Sequence, residues 1–289
     1  GADATSAAAV ARIFAAKQRP AFNPLISHVE SADPAFALGQ KTPIAAALAA
    51  AFWPGPLTLI LQRNDDCPVA MLTTAGLDTI GVRVPAHRGA QELLKAFGKP
   101  IAAPSANQSG RISPSNAKHV LDGLDGRLDL VLDGGSCESG LESTIIDCTG
   151  EFARLLRPGG ITRDALAAAL SKANCSPQID IAEPLVDHES PVAPGQLASH
   201  YAPKAAVRLM AKTSTADEEL IGFGTVNGAG KLALNLSPSA NLVEAAANLF
   251  SMLHAVDAAN IAKIAVAPIP NTGLGEAIND RLHRAAAPR

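Results

Sequence analysis

Aromatic side chains are scarce, with one Trp, one Tyr and eight Phe among 289 residues. Little flat surface is therefore available for stacking nucleic-acid bases. An excess of one charge is also lacking: 24 basic and 27 acidic residues leave a formal net charge of −3. That balance gives no overall support for a polyanion-binding surface, and DNA is not expected as a partner; a local basic patch stays open. The four cysteines, Cys67, Cys137, Cys148 and Cys175, form no C-x-x-C pair and have no His at metal spacing beside them. Neither a disulfide framework nor a structural zinc site is expected, and no metal-ligand set stands out. No apolar run approaches the roughly 18 residues of a membrane helix, because Arg, Lys, Asp or Pro interrupts every alanine-rich stretch. The chain opens on Gly1-Ala2-Asp3 rather than on a basic segment and an apolar run, so a signal peptide is not expected either. These absences together point to a cytoplasmic chain with no membrane partner.

What is present is core-forming material. Hydrophobic residues make up 47% and charged residues 18%, and alanine fills about one position in five, which excludes a disordered chain. A chain of this length suits two domains and buries about three quarters of its unfolded surface.

Periodicity divides the chain. Val10, Ile13, Phe14 and Lys17 follow helical spacing after a capping stretch at Asp3-x-Thr5-Ser6, and Pro20 forbids continuation. Strands are expected at 25–29, 57–61 and 79–84, and helices at 44–52 and 89–97. Ile101 to Ala103 follows as a short extended piece, and Pro114 is expected to open a helix at its first position. Strand candidates at 128–132, 143–147 and 153–157 precede a helix at 162–170. Interleaved strands and helices make this an α/β chain, and three neighbouring strands near 128–157 argue for a mixed sheet. From Asn174 to Lys204 five prolines interrupt any period, which makes a stiff connector of the kind that often serves as a lid or a binding loop. Strands at 206–210, 220–223, 231–234 and 261–267, with helices over 242–253 and up to Arg284, then read as a second, smaller α/β domain.

Four polar clusters sit at strand ends and helix starts, where an α/β sheet places a site. Lys17-x-Arg19 leads to Asn23-Pro24-Leu25 and His28; two close cations can converge on a phosphate, or simply face solvent at a helix end. Ser105-Ala106-Asn107-Gln108-Ser109-Gly110, followed by Ser113-Pro114, suits an anion or ribose, or a polar turn with a helix cap. Ser139 to Thr144 feeds a strand and Arg157-Pro158-Gly159-Gly160 ends one. There is no G-x-x-x-x-G-K-[ST] loop, no G-x-S-x-G elbow and no H-E-x-x-H helix, which disfavours P-loop binding and the common hydrolase routes. Gly273-Leu274-Gly275 reads as a tight strand-to-helix turn rather than a dinucleotide loop.

Taken in order, Lys17-x-Arg19, Asn23-Pro24-Leu25, Trp53-Pro54-Gly55-Pro56-Leu57-Thr58, Thr79 to Pro85, Pro104-Ser105-Ala106-Asn107-x-Ser109-Gly110, Glu142 to Asp147 and Arg157-Pro158-Gly159 resemble the YrdC-like domain. Pro194-Gly195-x-x-x-x-His200-Tyr201-Ala202-Pro203 and Gly273-x-Gly275-x-Ala277-Ile278-x-Asp280-Arg281 extend the resemblance to the two-domain threonylcarbamoyl-AMP synthase family, from end to end. The resemblance implies a twisted mixed sheet with helices over residues 1–173, a connector or lid over 174–204 and a smaller Rossmann-like α/β domain over 205–289. It implies a nucleotidyltransferase that makes L-threonylcarbamoyladenylate and pyrophosphate from L-threonine, bicarbonate and ATP. That reaction is the first step toward threonylcarbamoyladenosine at position 37 of tRNA, and Mg²⁺ is expected to arrive with ATP. Carried over by position, Lys17 and Arg19 are expected to be catalytic. ATP is expected at Arg19, Asn23, Thr79, Ser105, Asn107, Ser113 and Arg157, and threonine at His28, Arg83 and Ser143. His200 and Tyr201 are expected in the lid, and tRNA-modifying proteins as partners. Where the family often has threonine, Ala103 leaves only a backbone contact.

Family members normally begin with a stretch ending in Pro-Thr-Glu-Thr-x-Tyr-Gly-Leu just before Gly-Ala-Asp-Ala, the four residues with which this chain begins. A chain that begins here is expected to lack one threonine of the amino-acid site and at least one strand, so an inactive fragment is one rival reading. A non-enzymatic RNA-binding module is the other. A YrdC-like hydrogenase-maturation enzyme is disfavoured, because the cysteine-rich zinc segments and acylphosphatase-like region of that class are missing.

Overall fold

The computed structural model describes residues 1–182, 191–196, 199–226 and 230–288. By internal contacts the chain forms two units, residues 1–104 with 142–197, and residues 105–141 with 198–289.

The first unit is built on β1 (Ala2–Asp3), α1 (Ala7–Lys17), β2 (Ile26–His28), α2 (Ala32–Leu38), α3 (Pro43–Phe52), β3 (Leu57–Gln62), β4 (Thr79–Arg83), α4 (Arg88–Phe97) and β5 (Ile101–Ala102). After α5 (Ala117–Leu124), which lies in the second unit, it continues with β6 (Thr144–Asp147), β7 (Ala153–Arg157), α6 (Arg163–Lys172) and β8 (Ile179–Ile181). The strands form one sheet in the order β1-β5-β2-β4-β3-β6-β7-β8. Both strand directions occur: β2 with β4 and β3 with β6 are parallel, whereas β3 with β4 and β6 with β7 are antiparallel. The expected mixed sheet is thus what forms.

Alternation along β3 explains how the sheet carries both a core and a site. Leu57, Leu59 and Leu61 enter the main core with Val10 and Phe14 of α1, Leu48 of α3 and Leu166 of α6. Thr58 and Ile60 face the other way. On that second face Ile26, Ile60, Ile145 and Leu156 form a small apolar floor, and Ala193 of the connector packs into it.

The second unit has β9 (Ala206–Arg208), β10 (Glu219–Gly222), β11 (Leu234–Asn235), α7 (Leu242–Ala258), β12 (Lys263–Val266) and α8 (Leu274–Ala286). Its sheet, in the order β11-β10-β12-β9, is parallel throughout, and Leu249, Leu253, Ile278 and Leu282 of its helices pack with Ile221 and Ile264 of its strands. This is the smaller Rossmann-like α/β arrangement that the sequence led one to expect.

Several local expectations need correction. No strand forms at 128–132: Leu130 is 80% exposed and Leu132 69%, and without a neighbouring strand the apolar alternation there has no ladder to join. Pro114 does not open a helix; α5 starts at Ala117, where the Asn116 side chain accepts from His119 N. β11 starts three residues later than expected and ends one later, since the N–H groups of Lys231 and Leu232 donate to the Glu219 carboxylate instead of a strand partner. The helix α2 escaped detection because it is short and carries Pro34 in its first turn, where proline is tolerated. The connector contains one strand, β8, parallel to β7; residues 183–190 and 197–198 of it lie outside the described residues.

Candidate functional site

One end of the first unit's sheet gathers polar side chains. His28 ends β2 and Arg83 ends β4, and the two are register partners. Thr58, near the start of β3, pairs with Arg83 on the other side, so His28, Arg83 and Thr58 share one rung and one face. Ser143 immediately precedes β6 and Arg157 ends β7, which brings both to the same end of the sheet.

Hydrogen bonds lock this group. Thr58 Oγ1 and Ser143 Oγ lie 2.7 Å apart, both buried. Arg157 donates from Nε and Nη2 to the Ser143 carbonyl at 3.1 and 2.9 Å, and from Nη2 to Ser143 Oγ at 3.1 Å. Its Nη1 donates to the Pro194 carbonyl of the connector at 3.2 Å. Arg83 Nε donates to Gly55 O at 3.0 Å, and Gly55 N returns a bond to Val84 O, so the Trp53 to Thr58 turn fixes the end of β4.

Buried cations dominate the electrostatics. Burial, and then the Arg157 cation, lower the Arg83 pKa to about 10. Burial, followed by Arg83, lowers the His28 pKa to about 3, against a small upward pull from the carbonyls of Ile101 and Ile26. Its Nδ1 makes no well-formed hydrogen bond among the described residues, and the ring is neutral at physiological pH. Lys17, only 4% exposed at the end of α1, has its pKa lowered to about 7 by burial and then by Arg19. An anion beside any of these buried cations would stabilise its charge.

Arg19, Asn23 and Thr79 belong to another part of the same unit. Past the left-handed Gln18, Arg19 wraps the Asn23 turn, donating from Nε to Asn23 O and from Nη2 to Asn23 Oδ1 and Pro24 O. Asn23 is fully buried and its Nδ2 has no partner among the described residues. This turn leads into the start of β2, and Thr79 starts the parallel β4, so both stand at the opposite sheet end from His28 and Arg83. At about 3.3 Å per residue, Thr79 is about 13 Å along its strand from Arg83.

Ser105, Asn107, Ser113, His200 and Tyr201 belong to the second unit. Asn107 Nδ2 donates to the carbonyls of Gln108 and Arg111, and the Ser113 carbonyl accepts from His254 Nε2 at 3.1 Å. His254 stacks on His119 at 3.8 Å beside a cleft of about 550 Å³ that Asn107, Arg111 and Lys204 also line. Tyr201 is buried, with its ring edge-on to His200 and under the Arg281 guanidinium, while His200 N donates to Arg284 O.

A family model described as telomere recombination, covering Sua5, YciO and YrdC proteins, matches residues 1–159. One for the C-terminal domain of threonylcarbamoyl-AMP synthase matches residues 161–287. The threonylcarbamoyl-AMP synthase of Bacillus subtilis (strain 168) is 37% identical over 306 residues, which cover all of this chain and 86% of that protein. The chain belongs to the threonylcarbamoyl-AMP synthase family. The member from Pyrococcus abyssi (strain GE5 / Orsay) is likewise 37% identical, over 308 residues covering all of this chain and 87% of that protein. The crystal structure of P. abyssi Sua5 complexed with L-threonine matches with a TM-score of 0.87 and 36% identity, over 99% of this chain and 86% of that one. A structure of a P. abyssi Sua5 double variant, in which a histidine and the tyrosine that follows it are replaced by alanine, matches at 0.85 and 33%, over 98% and 85%.

Two residues of this synthase-family chain passed without a role in its sequence. Thr58 was legible as the one polar residue in Leu57-Thr58-Leu59-Ile60-Leu61, an anomaly in a strand buried on both faces. His254 gave no local signal, since its partner Ser113 is 141 residues away. Among the described residues no group of three or more His, Cys, Asp or Glu could hold a metal ion, and no helix is long and apolar enough to cross a membrane.

Proposed function

We propose that this chain makes L-threonylcarbamoyladenylate and pyrophosphate from L-threonine, bicarbonate and ATP, as the first step of threonylcarbamoyladenosine formation at position 37 of tRNA. The observation that carries the reading is the convergence of His28, Arg83, Thr58, Ser143 and Arg157 at one sheet end. It stands in a chain that aligns throughout with threonylcarbamoyl-AMP synthases, and the complex of the P. abyssi relative with L-threonine supports an amino-acid site in this chain.

In this reading Arg83 receives the threonine carboxylate and Ser143 a further oxygen, while the neutral His28 accepts or donates a hydrogen bond without adding charge. The threonine nitrogen joins the bicarbonate carbon with loss of water. A carbamate oxygen then forms the new bond to the α-phosphorus of ATP as the bond to pyrophosphate breaks. Two anions must meet, so the cations Lys17, Arg19 and Arg157 act by offsetting repulsion and stabilising charge on the leaving group. No covalent nucleophile is required, and positioning supplies the rest. Arg19, Asn23, Thr79, Ser105, Asn107, Ser113 and Arg157 are assigned to ATP, and a Mg²⁺ ion entering with ATP would neutralise its phosphates.

Residues 1–173 carry the chemistry, 174–204 act as a lid with His200 and Tyr201, and 205–289 form the smaller domain. The setting is the cytoplasm, alongside other tRNA-modifying proteins. The test is pyrophosphate release from ATP with and without L-threonine and bicarbonate. Release that needs both is expected, along with loss of it in EDTA. Release that ignores threonine, or none at all, refutes the assignment.

A further inference from the structure

Ser143 is assigned a ligand contact, yet a serine hydroxyl carries one proton and two lone pairs and can present either character to a ligand. What surrounds it decides which. Arg157 can only donate, so its Nη2, 3.1 Å away, occupies one lone pair of Ser143 Oγ. Thr58 Oγ1, at 2.7 Å, either fills the second lone pair or takes the Ser143 proton. Both hydroxyls are enclosed, with Thr58 0% and Ser143 2% exposed. Thr58 itself cannot drift, because β3 is paired on both sides, to β4 and to β6.

We infer that Thr58 is a positioning residue that makes Ser143 a hydrogen-bond donor toward an anionic oxygen of the amino-acid substrate. An anion at this end accepts and never donates, so it selects the arrangement in which Ser143 accepts from Arg157 and from Thr58 and turns its own proton to the ligand. The whole chain of donors, Arg157 and Thr58 to Ser143 and Ser143 to the ligand, then runs in one direction. Replacing the Thr58 hydroxyl by a methyl leaves a lone pair of Ser143 unfilled and frees the serine to rotate. The carboxylate and the carbamate oxygen of the substrate share the acceptor chemistry that this requires. The inference rests on the assignment of Ser143 to the amino-acid site.

The test is titration calorimetry of the full chain with L-threonine and, separately, with ATP. Thr58→Val conserves the shape and removes the hydroxyl. It is expected to weaken L-threonine binding about tenfold, the scale of a lost hydrogen bond to a charged group, while ATP binding stays within about twofold. Thr58→Ser is expected to restore binding. In a Ser143→Ala background Thr58→Val is expected to add nothing, since its effect passes through that serine. If melting shows that Thr58→Val does not fold, Thr58→Ala, which removes the same hydroxyl, is read instead. Equal weakening of ATP and L-threonine, no rescue by serine, or multiplying effects of Thr58→Val and Ser143→Ala would each overturn the inference. Unchanged L-threonine affinity in Ser143→Ala, or no L-threonine binding by the unsubstituted chain, would overturn the site assignment and the inference with it.

Discussion

Lys17 offers a direct reading of whether the buried cations serve an anion. Its amine is pushed from an ordinary value of 10.5 to about 7 by burial and by Arg19. At pH 8 only about one tenth of the free chain therefore carries that proton. A polyphosphate beside the amine would return its pKa toward the ordinary value, so binding ATP should draw in about 0.9 proton at pH 8 and about 0.1 at pH 6. The assay is calorimetry of ATP binding at pH 8, where the γ-phosphate is already ionised, in buffers of differing ionisation enthalpy. The slope of observed against buffer enthalpy counts the protons. A Lys17→Met chain should lose the slope. The sign for stability follows from the same pKa. Between pH 7 and 10.5 the unfolded chain binds the proton that the folded chain refuses, so stability rises with pH across that window. The full penalty, about 5 kcal/mol by this reckoning, applies below pH 7. Lys17→Met should accordingly melt higher than the parent at about pH 6 while binding ATP more weakly. A wild-type slope below about 0.2, or the same slope in Lys17→Met, would refute the reasoning.

Three further outcomes are expected. A Cβ at Gly159 would press on Thr144 N and Glu142 O, so Gly159→Ala should cost about 2–3 kcal/mol in denaturant unfolding and weaken L-threonine binding by shifting Ser143; an unaffected chain would show that this loop gives way freely. Tyr201→Ala removes a buried ring that packs against Phe250 and lies under the Arg281 cation, and should lower stability by about 3–5 kcal/mol, read by thermal melting. The stacked His119 and His254 both have pKa values lowered by burial first, with Lys118 opposing and Asp122 and Asp257 favouring protonation around them. Stability should fall as pH drops below about 6.5, and His254→Gln should flatten that fall; equal acid sensitivity in the variant would count against the stack.

The sequence was most informative where local rules and burial agree. α1 declares itself through Ser6, Phe14 and Pro20, and β3 and β4 through runs that can only be interior strands. The segment 128–132 misled because alternation marks a strand only if a partner exists to pair with it, and partners are a property of the whole sheet. The candidate residues were legible as types in an order. Their arrangement was legible only within a strand: the expected strand at 79–84 sets Thr79 and Arg83 at its two ends, but nothing in it says that His28 and Thr58 flank Arg83. Nor does anything local pair Thr58 with a serine 85 residues later.

Arg157 bridges two segments, donating to the hydroxyl and carbonyl of Ser143 and to the carbonyl of Pro194. Its Nη1–H toward Pro194 is a charged donor, which a phosphate or carboxylate oxygen would accept more strongly than a peptide carbonyl does. A ligand oxygen that takes this hydrogen competes with Pro194, whereas one that takes the second hydrogen of Nη1 leaves Pro194 in place. The Val192–Gln196 turn, where Gln196 Oε1 accepts from Val192 N and Ala193 N, holds the carbonyl in that competition.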